Sequence, residues 1–121
     1  MSEYILKTIK NEDFLISDIK HANILIIKYT DMGNVLEFRN RNDANIQFKI
    51  PIRNIETVEI TQQDTGWIKK TKDKIIQITF KDEQGQTRII RLNPEDNYVE
   101  DIQKELIQLR REEFNKDSKY W

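Results

Sequence analysis

Arginine and lysine are the residues in this chain best placed to do chemistry, and they fall into two groups. Arg39 and Arg41 are separated by one residue, so on an extended strand they share a face and can present guanidinium forks to a phosphate. The second group, Lys69, Lys70, Lys72 and Lys74 beside Trp67, is the most basic stretch of the chain. A basic strand edge carrying an aromatic suits an anionic headgroup or a phosphate backbone. Each group also has a plain structural reading. Charged residues are 34% of the chain, so arginine on a solvent face is ordinary, and Glu37 and Asp43 would blunt an anion site beside Arg39 and Arg41. Lysines along an edge strand deter sheet-to-sheet aggregation whatever the function.

Other reactive chemistry is thinly supplied. His21 is the single histidine and cysteine is absent, which removes histidine clusters, thiolate metal sites, disulfides and thiol nucleophiles. Three glycines cannot build a glycine-rich phosphate loop, and Ser2, Ser17 and Ser118 lie in no nucleophile-elbow context. Asp64, Asp73, Asp82 and Glu83 fall where turns are expected, where acids support backbone hydrogen bonds. The expectation is a protein without catalysis, metal or cofactor. Trp67 reads as a residue of the rim of the fold with a possible interface role, and Tyr120 and Trp121, aromatic at the end of a polar segment, as a self-association contact.

The elements that must position these residues are mostly strands. A chain of 121 residues is long enough to bury one core, so a single domain over 1–121 is expected. The 20 Lys and Arg nearly cancel the 21 Asp and Glu, which argues against bulk affinity for nucleic acid. Interrupting charges at Glu3, Lys7, Lys10, Glu12 and Asp13 leave no apolar run for a leader or membrane span, and a cytoplasmic location is the default. Tyr4 to Ile9 and Phe14 to Ile19, separated by a polar cluster, suggest an opening hairpin. Ile24 to Tyr29 and Val35 to Phe38 flank Asp31-Met32-Gly33-Asn34, whose Gly and Asn tolerate positive φ. Ile46, Phe48 and Ile50 alternate with polar residues up to Pro51, and Ile52 to Ile55 read as a bend. Glu56 to Thr61 is then a strand, Gln62 to Gly66 a loop, and Ile76 to Phe80 pairs through Asp82 to Gly85 with Thr87 to Leu92. Asn93-Pro94-Glu95-Asp96 combines a capping residue, proline and first-turn acids, predicting a helix from Pro94. Val99, Ile102, Leu106, Leu109 and Phe114 form its apolar stripe, Glu100, Lys104, Glu105, Gln108 and Arg111 its outer face, and residues 115–121 a loose tail.

About seven strands in hairpin order, closed by one C-terminal helix, resembles the pleckstrin-homology (PH) superfold. The stretch Ile46 to Ile60, with Ile50-Pro51, Ile55 and Val58-Glu59, is similar to the mid-domain wording of bacterial PH-like and GRAM-like domains. The similarity covers about residues 14–114. It implies an α+β, mainly β fold: a barrel of seven antiparallel strands in two near-orthogonal sheets, capped by the helix. Phosphoinositide binders of that superfold share a basic motif across their first two strands, and Lys28, Arg39 and Arg41 match its spacing. Two functions follow as expectations. The first is a binding module for protein partners, homo-oligomer assembly included. The second is peripheral binding to anionic lipid through Lys28, Arg39 and Arg41 or through Lys69 to Lys74. Binding of nucleic acid through the same basic edge ranks third.

Overall fold

The computed structural model describes residues 2–11, 23–31, 33–40, 47–64, 72–95 and 98–118. Seven antiparallel strands and one helix follow in order: β1 Ser2–Asn11, β2 Ile24–Thr30, β3 Gly33–Arg39, β4 Gln47–Pro51, β5 Ile55–Asp64, β6 Lys72–Lys81, β7 Thr87–Pro94 and α1 Val99–Ser118. A single 3-10 turn, Ile52–Asn54, joins β4 to β5. The strands form one sheet in the order β4-β3-β2-β1-β7-β6-β5. This differs from the expected pair of sheets. Two ladders meet end to end in β1 and link the strands into one sheet, and among the described residues no ladder joins β4 to β5 to close it.

β1 makes the sheet continuous by serving two neighbours in turn. Ser2 to Ile5 pair with β2, whereas Leu6 to Asn11 pair with β7, with an irregularity in register between Leu6 and Thr8. Such an irregularity bends a strand and increases its twist. The curl that results is large. Laid flat, β4 and β5 would stand six strand spacings apart, roughly 29 Å at about 4.8 Å per spacing. The 3-10 turn that connects them spans only about 6 Å. Phe48 of β4 meets Phe80 of β6 with ring centroids 6.2 Å apart, although those strands are five places apart in the sheet. The sheet therefore wraps around its own apolar face.

That face is built by alternation. Leu25 and Ile27, Leu36 and Phe38, Ile76 and Ile78, and Ile90 and Leu92 all point into one core. Two hairpins form as their residues require. Gly33, at φ +99°, opens β3 after the turn that follows Thr30, and Gly85, at φ +77°, completes the β6–β7 turn. In that second turn Asp82 accepts bonds from the Gln84 and Gln86 amides and from Arg88.

Helix α1 fills the mouth of the curled sheet. Val99, Ile102 and Leu106 are buried in the core cluster and Leu109 packs against it. The helix also attends to the edge that β5 leaves open: Gln103 donates to the Val58 carbonyl at 3.0 Å, and Arg110 to the Ile55 carbonyl at 2.6 Å. At its far end Glu113 accepts from the backbone and side-chain nitrogens of Asn34, both at 3.0 Å.

Three boundaries and one face assignment differ from the sequence reading. The helix begins at Val99, since Pro94 is the last residue of β7 and pairs with Leu6. β6 pairs with β7 no further than Leu92, so the missing proline N–H interrupts no ladder on that side. The helix ends at Ser118, so residues 115–118 are helical, and its core-facing stripe ends at Leu109 while Phe114 is half-exposed. Glu105, assigned to the outer face, accepts hydrogen bonds from Ser2 and Tyr4 of β1. β5 runs on to Asp64, because backbone pairing with Lys72 to Lys74 asks nothing apolar of Gln62, Gln63 and Asp64. The segment Phe14 to Ile19 lies outside the described residues, and β1 finds its antiparallel partner in β2.

The two ends of the helical stripe predict opposite outcomes. Ile102→Ala, at a fully buried position, should cost about 2–5 kcal/mol, whereas Phe114→Ala should cost under about 0.5 kcal/mol. Urea denaturation of the two variants measures both.

Candidate functional site

Because Leu36 and Phe38 point into the core, their neighbours Val35, Glu37 and Arg39 point to the opposite face of the sheet. The register completes that face. Glu37 lies opposite Ile26 on β2 and Lys49 on β4, Val35 opposite Lys28, and Arg39 opposite Ile24. Four charged side chains meet there. Arg39 Nε donates to Glu37 Oε1, Lys28 Nζ sits 2.8 Å from Oε2, and Lys49 Nζ lies 3.8 Å from the same oxygen. The carboxylate is fully buried, and the three cations keep 27%, 34% and 50% of their side chains exposed in the order Lys28, Arg39, Lys49.

The electrostatics of this cluster are lopsided. Burial by itself pushes the Glu37 carboxyl up, but the contacts and positive charges of Lys28 and Arg39 outweigh it and hold the group below its ordinary value of 4.5. Oε2 is buried and has an ion pair without a hydrogen bond of good geometry. Three cations around one carboxylate leave a local surplus of positive charge. Arg39 engages Glu37 through Nε, and among the described residues its terminal guanidinium nitrogens and the Lys49 ammonium have no hydrogen-bond partner.

The same face carries apolar side chains. Ile5 pairs with Ile24, Ile26 follows two residues on, and Val35 lies diagonal to Ile26, giving a strip across β1, β2 and β3. Ile26 and Val35 are 8% and 6% exposed yet stand apart from the core cluster, while Ile5 is 38% exposed. Burial in β2 and β3 is accordingly continuous rather than alternating, the pattern of strands covered on both faces.

Of the sequence-selected residues, the structure unites Lys28 and Arg39 on Glu37 and places them on β2 and β3, not on the first two strands. Arg41, Asp43, Trp67, Lys69, Lys70, Tyr120, Trp121 and His21 lie outside the described residues. Lys72 and Lys74 belong to β6, which is flanked by β5 and β7 over its second half but has lost β7 by Lys74. Lys74 binds Glu100 at 2.9 Å, which holds that carboxyl below its usual range. This pair ties the helix start to a locally open strand. Lys49 was not among the selected residues. Its outward position on β4 follows from the alternation with Phe48 and Ile50, but its meeting with Glu37 depends on register. Among the described residues no three His, Cys, Asp or Glu come together as a metal site. No helix there is long and apolar enough to cross a membrane. No protein-family model matches the chain, and no curated protein matches it either.

A second buried contact lies at the helix. Tyr4 donates to Glu105 at 2.8 Å and stands 5.7 Å from Tyr98, ring to ring. Burial first, then the bond to Glu105 and its charge, push the Tyr4 hydroxyl from 10.0 up to about 12.

Both titrations have a sign. Glu37 has a lowered folded-state value, so its ion pairs contribute stability above pH 4.5 that is lost as pH falls through the folded value. Chemical denaturation across pH 3–7 should show a steeper acid loss in the wild type than in Glu37→Gln. Tyr4 is the opposite case: its raised value contributes stability below pH 10.0 that is lost as pH rises through about 12. Absorbance titration of phenolate should show one late-ionising tyrosine, absent in Tyr4→Phe.

Proposed function

We propose that this chain is a non-catalytic, PH-like binding module that works by protein contact, homo-oligomer assembly included. Seven strands in hairpin order, a sheet curled on itself and a C-terminal helix in its mouth support the PH-like part of the reading. The observation that carries the binding part is the second apolar layer on the far face of β1, β2 and β3. Of that layer Ile26 and Val35 are already buried within the chain, while Ile5 and Ile24 keep surface that a partner can cover. Such a strip, flanked by charges, is the make-up of a protein contact: apolar at its centre and polar at its rim. A rigid sheet presents it without any ordering cost in the backbone.

The surplus charge of Lys28, Arg39 and Lys49 favours a second reading, peripheral binding to anionic lipid, in which the same face meets a negative surface.

The two readings separate by salt. Sedimentation velocity of the full chain from about 5 to 500 μM should show association that persists in 0.5 M NaCl and is lost in Ile5→Glu and Ile24→Glu, since apolar contact is not screened. A monomer at every concentration, unchanged by the substitutions, rejects self-assembly. Binding to phosphatidylserine vesicles that disappears in 0.5 M NaCl would put the lipid reading in its place.

A further inference from the structure

The unused donors around Glu37 point to a ligand more specific than a charged surface. We infer that Arg39 and Lys49, on neighbouring strands and held by the buried Glu37, form a binding site for a phosphate dianion on the outer face of β2, β3 and β4. Four observations build it. Glu37 is fully buried, so it anchors the cluster from below instead of facing the solvent. Its bond to Arg39 uses the Nε edge of the guanidinium, and the terminal nitrogens, which form the other fork, have no hydrogen-bond partner among the described residues. Lys49 lies directly opposite Glu37 in the ladder, and Arg39 two residues further along β3, so the two cations are diagonal neighbours on one face. Lys49 stands 3.8 Å from Oε2, beyond hydrogen-bond reach, with its three donors unspent on Glu37.

Donor geometry sets the ligand class. The terminal edge of the Arg39 guanidinium presents two parallel donors and the Lys49 ammonium three more, a set that matches the several oxygens of a phosphate. Glu3, opposite Ile26 on β1, is a second acid on this face. Backbone rigidity adds to this, since both cations sit on paired strands, where Cα positions are fixed before the ligand arrives. The site is distinct from the apolar contact proposed above and does not depend on it. It uses the same cations as the lipid reading, but free phosphate is sufficient to fill it. A phosphomonoester headgroup and inorganic phosphate offer the same chemistry, and the test keeps them apart.

The test is a two-dimensional amide NMR titration of the full chain with inorganic phosphate at pH 8, ionic strength held constant with NaCl. Saturable shifts are expected at Lys28, Glu37, Arg39 and Lys49. Arg39→Gln and Lys49→Gln should each weaken the apparent affinity about tenfold, the loss expected of one charge-assisted contact. Lys104→Gln, on the exposed side of α1, should leave it unchanged. Lys49 is half-exposed on an edge strand, so Lys49→Gln tests the site even if Arg39→Gln disturbs the fold. Sedimentation with phosphatidic acid vesicles, against phosphatidylcholine vesicles, then identifies the source. Phosphate-competed pull-down assigns a lipid headgroup, and saturable phosphate binding without pull-down assigns a soluble phosphate. Shifts that are linear in phosphate and identical with chloride, or an affinity unmoved in both Arg39→Gln and Lys49→Gln, overturn the inference.

Discussion

Three residues of 3-10 turn between the two edge strands are the constraint on which this fold depends. β4 and β5 are the outermost strands of a seven-stranded sheet, yet Ile52, Arg53 and Asn54 are all that separates them. A flat sheet cannot satisfy that link, so the strands must twist and the sheet must curl. Curling brings Phe48 to Phe80 and turns one apolar face into an enclosed core. It also creates two liabilities: an open mouth, and an unpaired edge on β5. The helix meets both at once, with Ile102 and Leu106 in the mouth and Gln103 and Arg110 on the β5 carbonyls.

Register does for the charged face what the turn does for the core. Glu37 is a poor choice for burial by itself, because desolvating a carboxylate costs several kcal/mol in effect. It is tolerated because antiparallel pairing sets Lys49 directly across from it, strand alternation sets Arg39 two residues on, and the β2 register brings Lys28 to the diagonal. A slip of one residue would carry Glu37 into the core beside Leu25 and turn Leu36 outward. The cluster thus penalises wrong pairings of β2, β3 and β4 as well as holding charge.

Those two facts explain what could be read in the residues and what could not. The β6–β7 hairpin was legible because Asp82 and Gly85 have local roles, a side-chain acceptor for turn amides and a positive φ. The helix was legible in its stripe, from Val99 to Leu109, because 3.6-residue periodicity is a local property. Its start was not: Asn93-Pro94-Glu95-Asp96 has the composition of a cap, but pairing with β1 draws Asn93 and Pro94 into β7. Polarity misplaced the end of β5 in the same way. Of the candidate site, Lys28 and Arg39 were visible as cations and Glu37 as a nearby acid, which looked like a weakness. That it is buried beneath them, with Lys49 as the third cation, is a product of pairing between strands, which no local pattern encodes.

The two faces of the same strands carry residues of different kinds. Leu36 and Phe38 commit one side of β3 to the core, and substitution there removes the scaffold. Val35, Glu37 and Arg39 belong to the other side, where the core imposes no requirement for apolar residues or for charge. A second layer nonetheless stands there, apolar at Ile24 and Ile26 and positively charged at Arg39 and Lys49 around the buried Glu37. Edge protection accounts for Lys49 alone, since β4 is an edge strand. It does not account for Arg39, which lies on an interior strand. Arg39 is placed by the acid it neutralises: without it the buried Glu37 would keep only its two lysine partners.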